Sequence, residues 1–246
     1  VLSPLIEAGI PVLCEKPFAE TLAEAAEIEE MARRHSVPVA VNQNFRRHFS
    51  FSPAREVLSR GNLGKPLHLT QLTCCLRRDV GWRLERTRYV MAVMSIHWFD
   101  GYRYMLQDEP KTVYCRAVNS PAAEGGSDTA VSVLLEFHGG TVASLSESFS
   151  SFTKPQTASL DCENGGLLLD YQKLVEVRSS GERIEHPNPF DKAEATYYLL
   201  DDLLRSVDEG RAPETSASDN LKSMRIMEAA YRSIEEGRVV MIEEML

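Results

Sequence analysis

The pattern across residues 11–42 constrains the fold more than any other stretch. PVLC at 11–14 is a short apolar run. Thr21 with Glu24 three residues on has the form of a capping box, in which the threonine hydroxyl and the glutamate carboxylate each accept from the other's backbone amide. The helix pattern LAEAAEIEEMARRH places Leu22, Ala25, Ile28 and Met31 at three-residue steps, and VAV then forms a second apolar run that ends at Asn42. Strand, helix and strand at this spacing predict a βαβ unit with a parallel pair, because antiparallel neighbours would not need so long a crossover. Upstream of it, LSPLIEAG reads as a helix ending in a glycine stop that begins abruptly at Val1. The expectation is either a fragment or a chain whose start is internal to an ancestral fold.

Beyond Asn42 the character changes. SPAREVLSRGNLG reads as a short helix, PLHLTQLTCCLRR alternates as a long strand, and a helix is predicted over about 90–106. Strand patterns follow in KTVYCRAV, TAVSVLLEFHGGTVASLSESFS, TASLDCENGGLLLDY and KLVEVRSS, with a hairpin turn at Gly139-Gly140. Helices are predicted again over Glu194–Asp208 and Ser218–Glu236, stopped by Gly210 and Gly237. PAAEGGSD at 121–128 reads as a surface loop. The fold class is therefore α/β and α+β: a remnant of a parallel Rossmann-type sheet over 1–46, then an α+β domain over 47–246. In the second, helices cover one face of a large, open, mostly antiparallel sheet.

Charge and cysteine usage narrow the partners. The formal net charge of -9 disfavours nucleic acid and anionic membrane surfaces. No apolar run approaches the roughly 20 residues of a membrane helix. Five cysteines, an odd number without CxxC spacing, fit reduced thiols in a cytoplasmic protein. A small-molecule ligand is expected.

Two local signals carry chemistry. Cys14-Glu15-Lys16-Pro17 stands at the carboxyl end of the first strand, where open parallel sheets bind ligands. Read alone, Glu15 and Lys16 are more simply a solvated charge pair before a proline turn. A lysine partly desolvated there would instead hold a substrate hydroxyl and move its proton. His97, on the helix after the long strand, titrates near neutral pH, although a histidine on an apolar helix is ordinarily a satisfied core residue. Asp100 lies on the same helical face, three residues on, where it would orient the imidazole or bond to the backbone.

The order EKP, capped helix, VAVNQNFRRHFS, GWR, IHWFDGYRYMLQDEP and DNLKSMRIMEAAYRSIEEGRVV resembles proteins of the Gfo/Idh/MocA oxidoreductase family over essentially all 246 residues. The resemblance implies NAD(P)-dependent oxidation of a carbinol on a sugar, inositol or related polyol. It implies that Lys16 lies beside the nicotinamide and touches the reacting carbinol, with His97 across the substrate, and that the Lys16-Pro17 bond is cis. Glu15, Pro17, Trp82 and Arg83 then border the cofactor, NAD or NADP, and Asn44, Arg46, Arg47 and Asp100 line the substrate site. Tyr197 or Tyr198 reaches it from a late helix. The family also implies a homodimer, or a higher homo-oligomer, through the open sheet.

Two departures qualify what the resemblance implies. Where family dehydrogenases carry D-x-G-x-H, this chain has Val93 and Ser95 before His97, so either Lys16 and His97 manage the proton without that carboxylate or Asp100 substitutes for it. No G-x-G-x-x-G occurs, so no glycine-rich turn cradles a pyrophosphate. The expectation is a truncated dehydrogenase that binds cofactor weakly or not at all by itself. The alternative is a non-catalytic sugar-binding or assembly protein built on the same fold.

Overall fold

The computed structural model describes residues 1–79, 88–120 and 128–245. The first helix, α1 (Leu2–Glu7), leads through Gly9, at φ +72°, into β1 (Val12–Cys14). The capping box is present at the start of α2 (Leu22–His35), with the Glu24 amide donating to the Thr21 hydroxyl at 3.2 Å. β2 (Val39–Val41) then pairs parallel to β1, Val12 beside Val39 and Cys14 beside Val41. The βαβ reading of 11–42 is thus observed. The two strand ends, Glu15-Lys16-Pro17 and Asn42-Gln43-Asn44, lie side by side because the Asn42 amide donates to the Cys14 carbonyl at 2.8 Å. The Lys16-Pro17 peptide is cis.

Two short helices, α3 (Phe45–His48) and α4 (Phe51–Ser59), carry the chain to β3 (Pro66–Cys74). From Met91 a helix runs to Leu106, as predicted, but its first turn is a π-helix (Met91–Ser95) that passes into α5 (Ile96–Leu106). Single π-turns of this kind recur at functional sites. The remaining strands are β4 (Pro110–Val118), β5 (Ala130–Phe137), β6 (Val142–Ser148), β7 (Gln156–Cys162), β8 (Gly165–Leu169), β9 (Lys173–Arg178), β10 (Arg183–Pro187) and β11 (Val240–Met241). Between β10 and β11 run α6 (Lys192–Glu209) and α7 (Ala217–Glu236). Gly210 and Gly237 stop them in the left-handed conformation at φ +65° and +70°, where a side chain would be strained.

Among the described residues the large sheet has nine strands in the order β10-β9-β8-β7-β3-β6-β5-β4-β11. Every pairing is antiparallel except β3 with β6. Alternation along β5 and β6 buries Val131, Val133, Leu135, Ala143 and Leu145 under α5, and leaves Ser132, Leu134 and Ser146 exposed. The helices approach closely: a Cβ on Gly101 of α5 would stand 2.1 Å from the Phe51 ring of α4. Three short elements, α3, β10 and β11, escaped the sequence reading. β10 is an edge strand, RIEHP, that buries no row of side chains and so shows no apolar alternation.

The surface-loop reading of 121–128 needs correction at its end. Residues 121–127 lie outside the described residues. Asp128 is 6% exposed and accepts from the Tyr89 and Met91 amides at 2.8 and 3.0 Å, satisfying donors at the start of the π-turn. All five cysteines are free thiols.

Candidate active site

Four elements converge on one place. The end of β1 brings Lys16, the end of β2 brings Gln43, the π-turn and first turn of α5 bring Ser95 and His97, and β6 brings Glu147 from the sheet below. Lys16 is half-buried, and its ammonium donates to the carbonyl of Val93 in the π-turn. Burial lowers its pKa to about 8, partly offset by the negative charges of Glu15 and Glu147. Lys16 therefore exists in water of ordinary pH as a mixture of ammonium and amine, the condition for a group that takes and returns a proton.

His97 is 6% exposed, and its Nδ1 lies 2.8 Å from Oε1 of Gln43. With the amide oxygen accepting, Nδ1 carries the ring proton and Nε2 keeps its lone pair. Its ring stacks on Phe45, centroids 4.3 Å apart. Burial, then the positive charges of Lys16, Lys192 and His48, hold its pKa well below the usual histidine value. The imidazole is neutral.

Glu147 was not legible as a site residue. It is 2% exposed, accepts from Ser95 Oγ at 2.5 Å and from Trp98 Nε1 at 3.2 Å, and lies within electrostatic reach of Lys16. Burial raises its pKa to about 8, against the opposing pull of those two hydrogen bonds and Lys16. The signal that would have found it is the phase of β6. Position 147 continues the row Ala143, Leu145, so a glutamate there must be buried, and buried glutamates are rare unless paired.

The structure separates the remaining sequence-predicted residues into two groups. Glu15 is exposed and accepts from Asn42 Nδ2 at 2.8 Å, which keeps it at the strand-end cleft. Asn44 donates to Thr196 Oγ1 at 3.0 Å, and its Oδ1, with Asn42 Oδ1 and Gln43 Nε2, is buried without a partner. Pro17 follows Lys16 directly. Trp82 and Arg83 lie outside the described residues.

Arg46 and Asp100, expected to line the substrate site, lie in a buried ion network. Arg46 pairs with Asp100 through two hydrogen bonds of 2.6 and 2.8 Å and also binds Asp219, with the two side chains 5% and 1% exposed. Arg103 closes the network on Asp219 and Glu109. Asp100 is therefore occupied by Arg46 and does not stand in as the partner of His97, whose Nδ1 goes to Gln43. On a helix, residues three apart share a face only broadly, and tertiary partners decided between them. Arg47 is likewise spent within the protein, on Tyr104, Tyr198 and Glu214 at 2.9, 2.8 and 2.7 Å. Of the two tyrosines, Tyr198 points inward onto Arg47 and Tyr197 is 71% exposed.

A cleft of about 260 Å³ between α7 and the sheet edge, lined by Glu109, Lys111, His138, Lys222 and Arg225 among others, contains none of Lys16, His97 and Glu147. Among the described residues no group of three or more histidine, cysteine, aspartate or glutamate side chains is arranged to hold a metal ion. No helix among them is long and apolar enough to cross a membrane.

A parallel βαβ piece whose strand end delivers a lysine is set over a large open sheet whose covering helix delivers a histidine. Comparison with known proteins assigns this arrangement to a family. Residues 1–43 match the oxidoreductase family with an NAD-binding Rossmann fold, and residues 51–168 match the Gfo/Idh/MocA C-terminal domain. The chain belongs to the Gfo/Idh/MocA oxidoreductase family. It is 27% identical to the D-apiose dehydrogenase of Paraburkholderia graminis over 97% of this chain and 68% of that protein. It is 25% identical to the myo-inositol 2-dehydrogenase of Thermotoga maritima over 96% of this chain and 73% of that one. An Agrobacterium radiobacter oxidoreductase solved with NAD+, L-tartaric acid and magnesium shares its fold, with a TM-score of 0.88 at 23% identity over 100% of this chain and 77% of that one.

Proposed function

We propose that this chain is the catalytic part of an NAD(P)-dependent dehydrogenase of a sugar, inositol or related polyol, organised as a nucleotide-side unit over 1–46 and a substrate and dimerisation unit over 47–246. The observation that carries this reading is the convergence of Lys16 and His97, both shifted toward their neutral forms. Relatives named as D-apiose and myo-inositol dehydrogenases support the substrate class.

Three buried, unpartnered polar atoms on Asn42, Gln43 and Asn44, beside Glu15 and Lys16, fit the polar edge of a nicotinamide or of a substrate bound against it. Glu15, Lys16 and Pro17 would hold the nicotinamide end. A nicotinamide cofactor supplies the acceptor for the hydride of the carbinol carbon. The chain's own groups manage the proton. Lys16 as amine accepts it from the carbinol oxygen, and the neutral His97, its tautomer set by Gln43, accepts a hydrogen bond from the substrate at Nε2. The surrounding aromatic residues Phe45 and Trp98 keep the site dry and strengthen both interactions. In reduction the same proton runs back.

Lys16→Met tests this. This chain extended upstream by a glycine-rich dinucleotide-binding segment should bind NAD+ or NADP+ by calorimetry and turn over at least one of D-apiose, myo-inositol and 1,5-anhydro-D-fructose, with weak or no cofactor binding by the chain alone, and the variant of the extended chain should lose at least about 100-fold in kcat, the scale of one positioned acid-base group. Sugar binding that survives in both chains without any cofactor binding would replace the reading with that of a non-catalytic sugar-binding protein. That second reading is favoured by one observation, the absence of G-x-G-x-x-G from these residues. Self-association through the open sheet face and a cytoplasmic location belong to the same proposal. A monomer by light scattering at micromolar concentration would remove the dimer.

A further inference from the structure

The far end of the large sheet holds a cleft that the strand-end chemistry does not use. β6 runs from Val142, beside the hairpin turn, to Glu147 and Ser148 at the active site, and His138 of that turn lines the cleft. β11 has two residues and pairs with β4 only at Thr112 and Val113, so the start of β4, Pro110 and Lys111, gains no partner from it. After Met241 the chain passes into a 3₁₀ turn (Ile242–Met245). Between that turn, the start of β4 and α7 lies a space of about 260 Å³. Lys222, Arg225 and Ile226 stand at i, i+3 and i+4 on α7 and so share the face turned toward it. Pro110 and Ile226, both buried, with Met241 and Ile242, give it apolar walls.

The cations of this lining differ in one respect. Lys111 pairs with Glu136 at 2.6 Å and Lys222 with Glu109 at 3.1 Å. Arg225 pairs with neither carboxylate of the lining: among the described residues its side chain makes no ion pair or hydrogen bond, and its Nε is buried without a partner. A buried donor on a charged group is costly to leave unmet, and an acceptor seated in the cleft recovers that cost. A guanidinium presents parallel N–H groups that match the two oxygens of a carboxylate.

We propose that this cleft is a second binding site, for a small organic monocarboxylate with an apolar body. Arg225 holds the carboxylate, and the hydrocarbon lies against Pro110, Ile226, Met241 and Ile242. One unpaired cation balances one negative charge; a second charge, as on a phosphate, would face Glu109 and Glu243 of the same lining. At ~30 Å³ for each water of the liquid, the space takes about nine such volumes, which suits a straight acid of about seven carbons. The site goes beyond the dehydrogenase reading and does not depend on it, since Lys16, Gln43 and His97 take no part in the lining.

The test follows this chain by NMR, with ¹³C-methyl labels on isoleucine and methionine, through titrations with heptanoate, 1-heptanol and inorganic phosphate. Heptanoate should saturate with a Kd on the order of 1 mM or tighter and move the methyl resonances of Ile226, Met241 and Ile242. The alcohol should bind at least about tenfold more weakly, and phosphate should not compete. Arg225→Gln should weaken heptanoate at least about tenfold. Should that variant fail to fold, Met241→Glu, at a side chain 37% exposed, sets a like charge on the wall and should weaken it as much. The proposal is overturned by heptanoate that does not saturate, by shifts confined to methyls other than these three, or by an affinity unchanged in a folded variant. Alcohol binding as tight as heptanoate would show an apolar pocket with no carboxylate site, and phosphate binding as tight a bare cation; either also overturns it. Sugar turnover enters none of these readouts, so failure here leaves the dehydrogenase reading standing, and failure of that reading leaves this site standing.

Discussion

Replacing Asp100 with asparagine removes one charge from the buried network and alters little else in volume. The structure fixes what is lost. Asp100 takes two hydrogen bonds from Arg46 at 2.6 and 2.8 Å and one from Ser223 at 3.1 Å, and Arg103 lies 3.5 Å away. An uncompensated buried charge costs about 3–5 kcal/mol when its partner is removed. Here Arg46 keeps Asp219, a side chain 28% exposed, and the Glu214 carbonyl at 3.1 Å, so the lower end of that range, about 3 kcal/mol, applies. For a chain of this size about 1 kcal/mol moves Tm by roughly 2–4 °C, which gives a drop on the order of 6–12 °C. Differential scanning calorimetry, with urea denaturation as a check on the midpoint, measures it. Cofactor and sugar binding by the folded variant should stay within about threefold, because the Asp100 carboxylate is occupied by Arg46 and Ser223. A variant as stable as the parent that has lost ligand binding would refute this reasoning and return Asp100 to the site.

Two further outcomes follow from the same geometry. The His97 ring, followed by ¹⁵N chemical shift, should show no protonation near pH 6.5; because its pKa is lowered in the folded chain, the stability it contributes is present above 6.5 and is lost as pH falls through the folded value, and a midpoint at 6.5 would show an exposed ring. Gly101→Ala drives a methyl into the Phe51 ring and should cost about 1–3 kcal/mol in urea denaturation, with partial recovery in the Gly101→Ala, Phe51→Leu pair; no loss in the single variant would mean the two helices are less tightly opposed than the structure shows.

Stability at the active site carries its own sign. The Glu147 pKa is raised in the folded chain, so its contribution is full below the unfolded value near 4.5 and is lost as pH rises toward about 8. That of Lys16 is lowered, so its contribution is present above the unfolded value near 10.5 and is lost as pH falls toward about 8. The two groups therefore weaken the fold from opposite sides, and near pH 8 they support it least.

The boundary between what the sequence determined and what only the tertiary structure decided follows the range of the interactions. Thr21 and Glu24 cap a helix with each other, Gly210 and Gly237 end helices through their own φ, and the apolar alternation around Gly139-Gly140 closes a hairpin. Each of these is settled within a few residues of chain, so the βαβ unit and most of the sheet were readable, and Lys16 at a strand end was placed by the same local logic. Asp100, Arg46 and Glu147 were not readable in this way. Whether Asp100 met His97 or Arg46 depended on α3 and α7 arriving from 54 and 119 residues away, and Glu147 became part of the site only because β6 passes beneath Ser95, 52 residues earlier in the chain. A buried charge takes the partner that desolvation and geometry leave it, and that choice is made when the core closes.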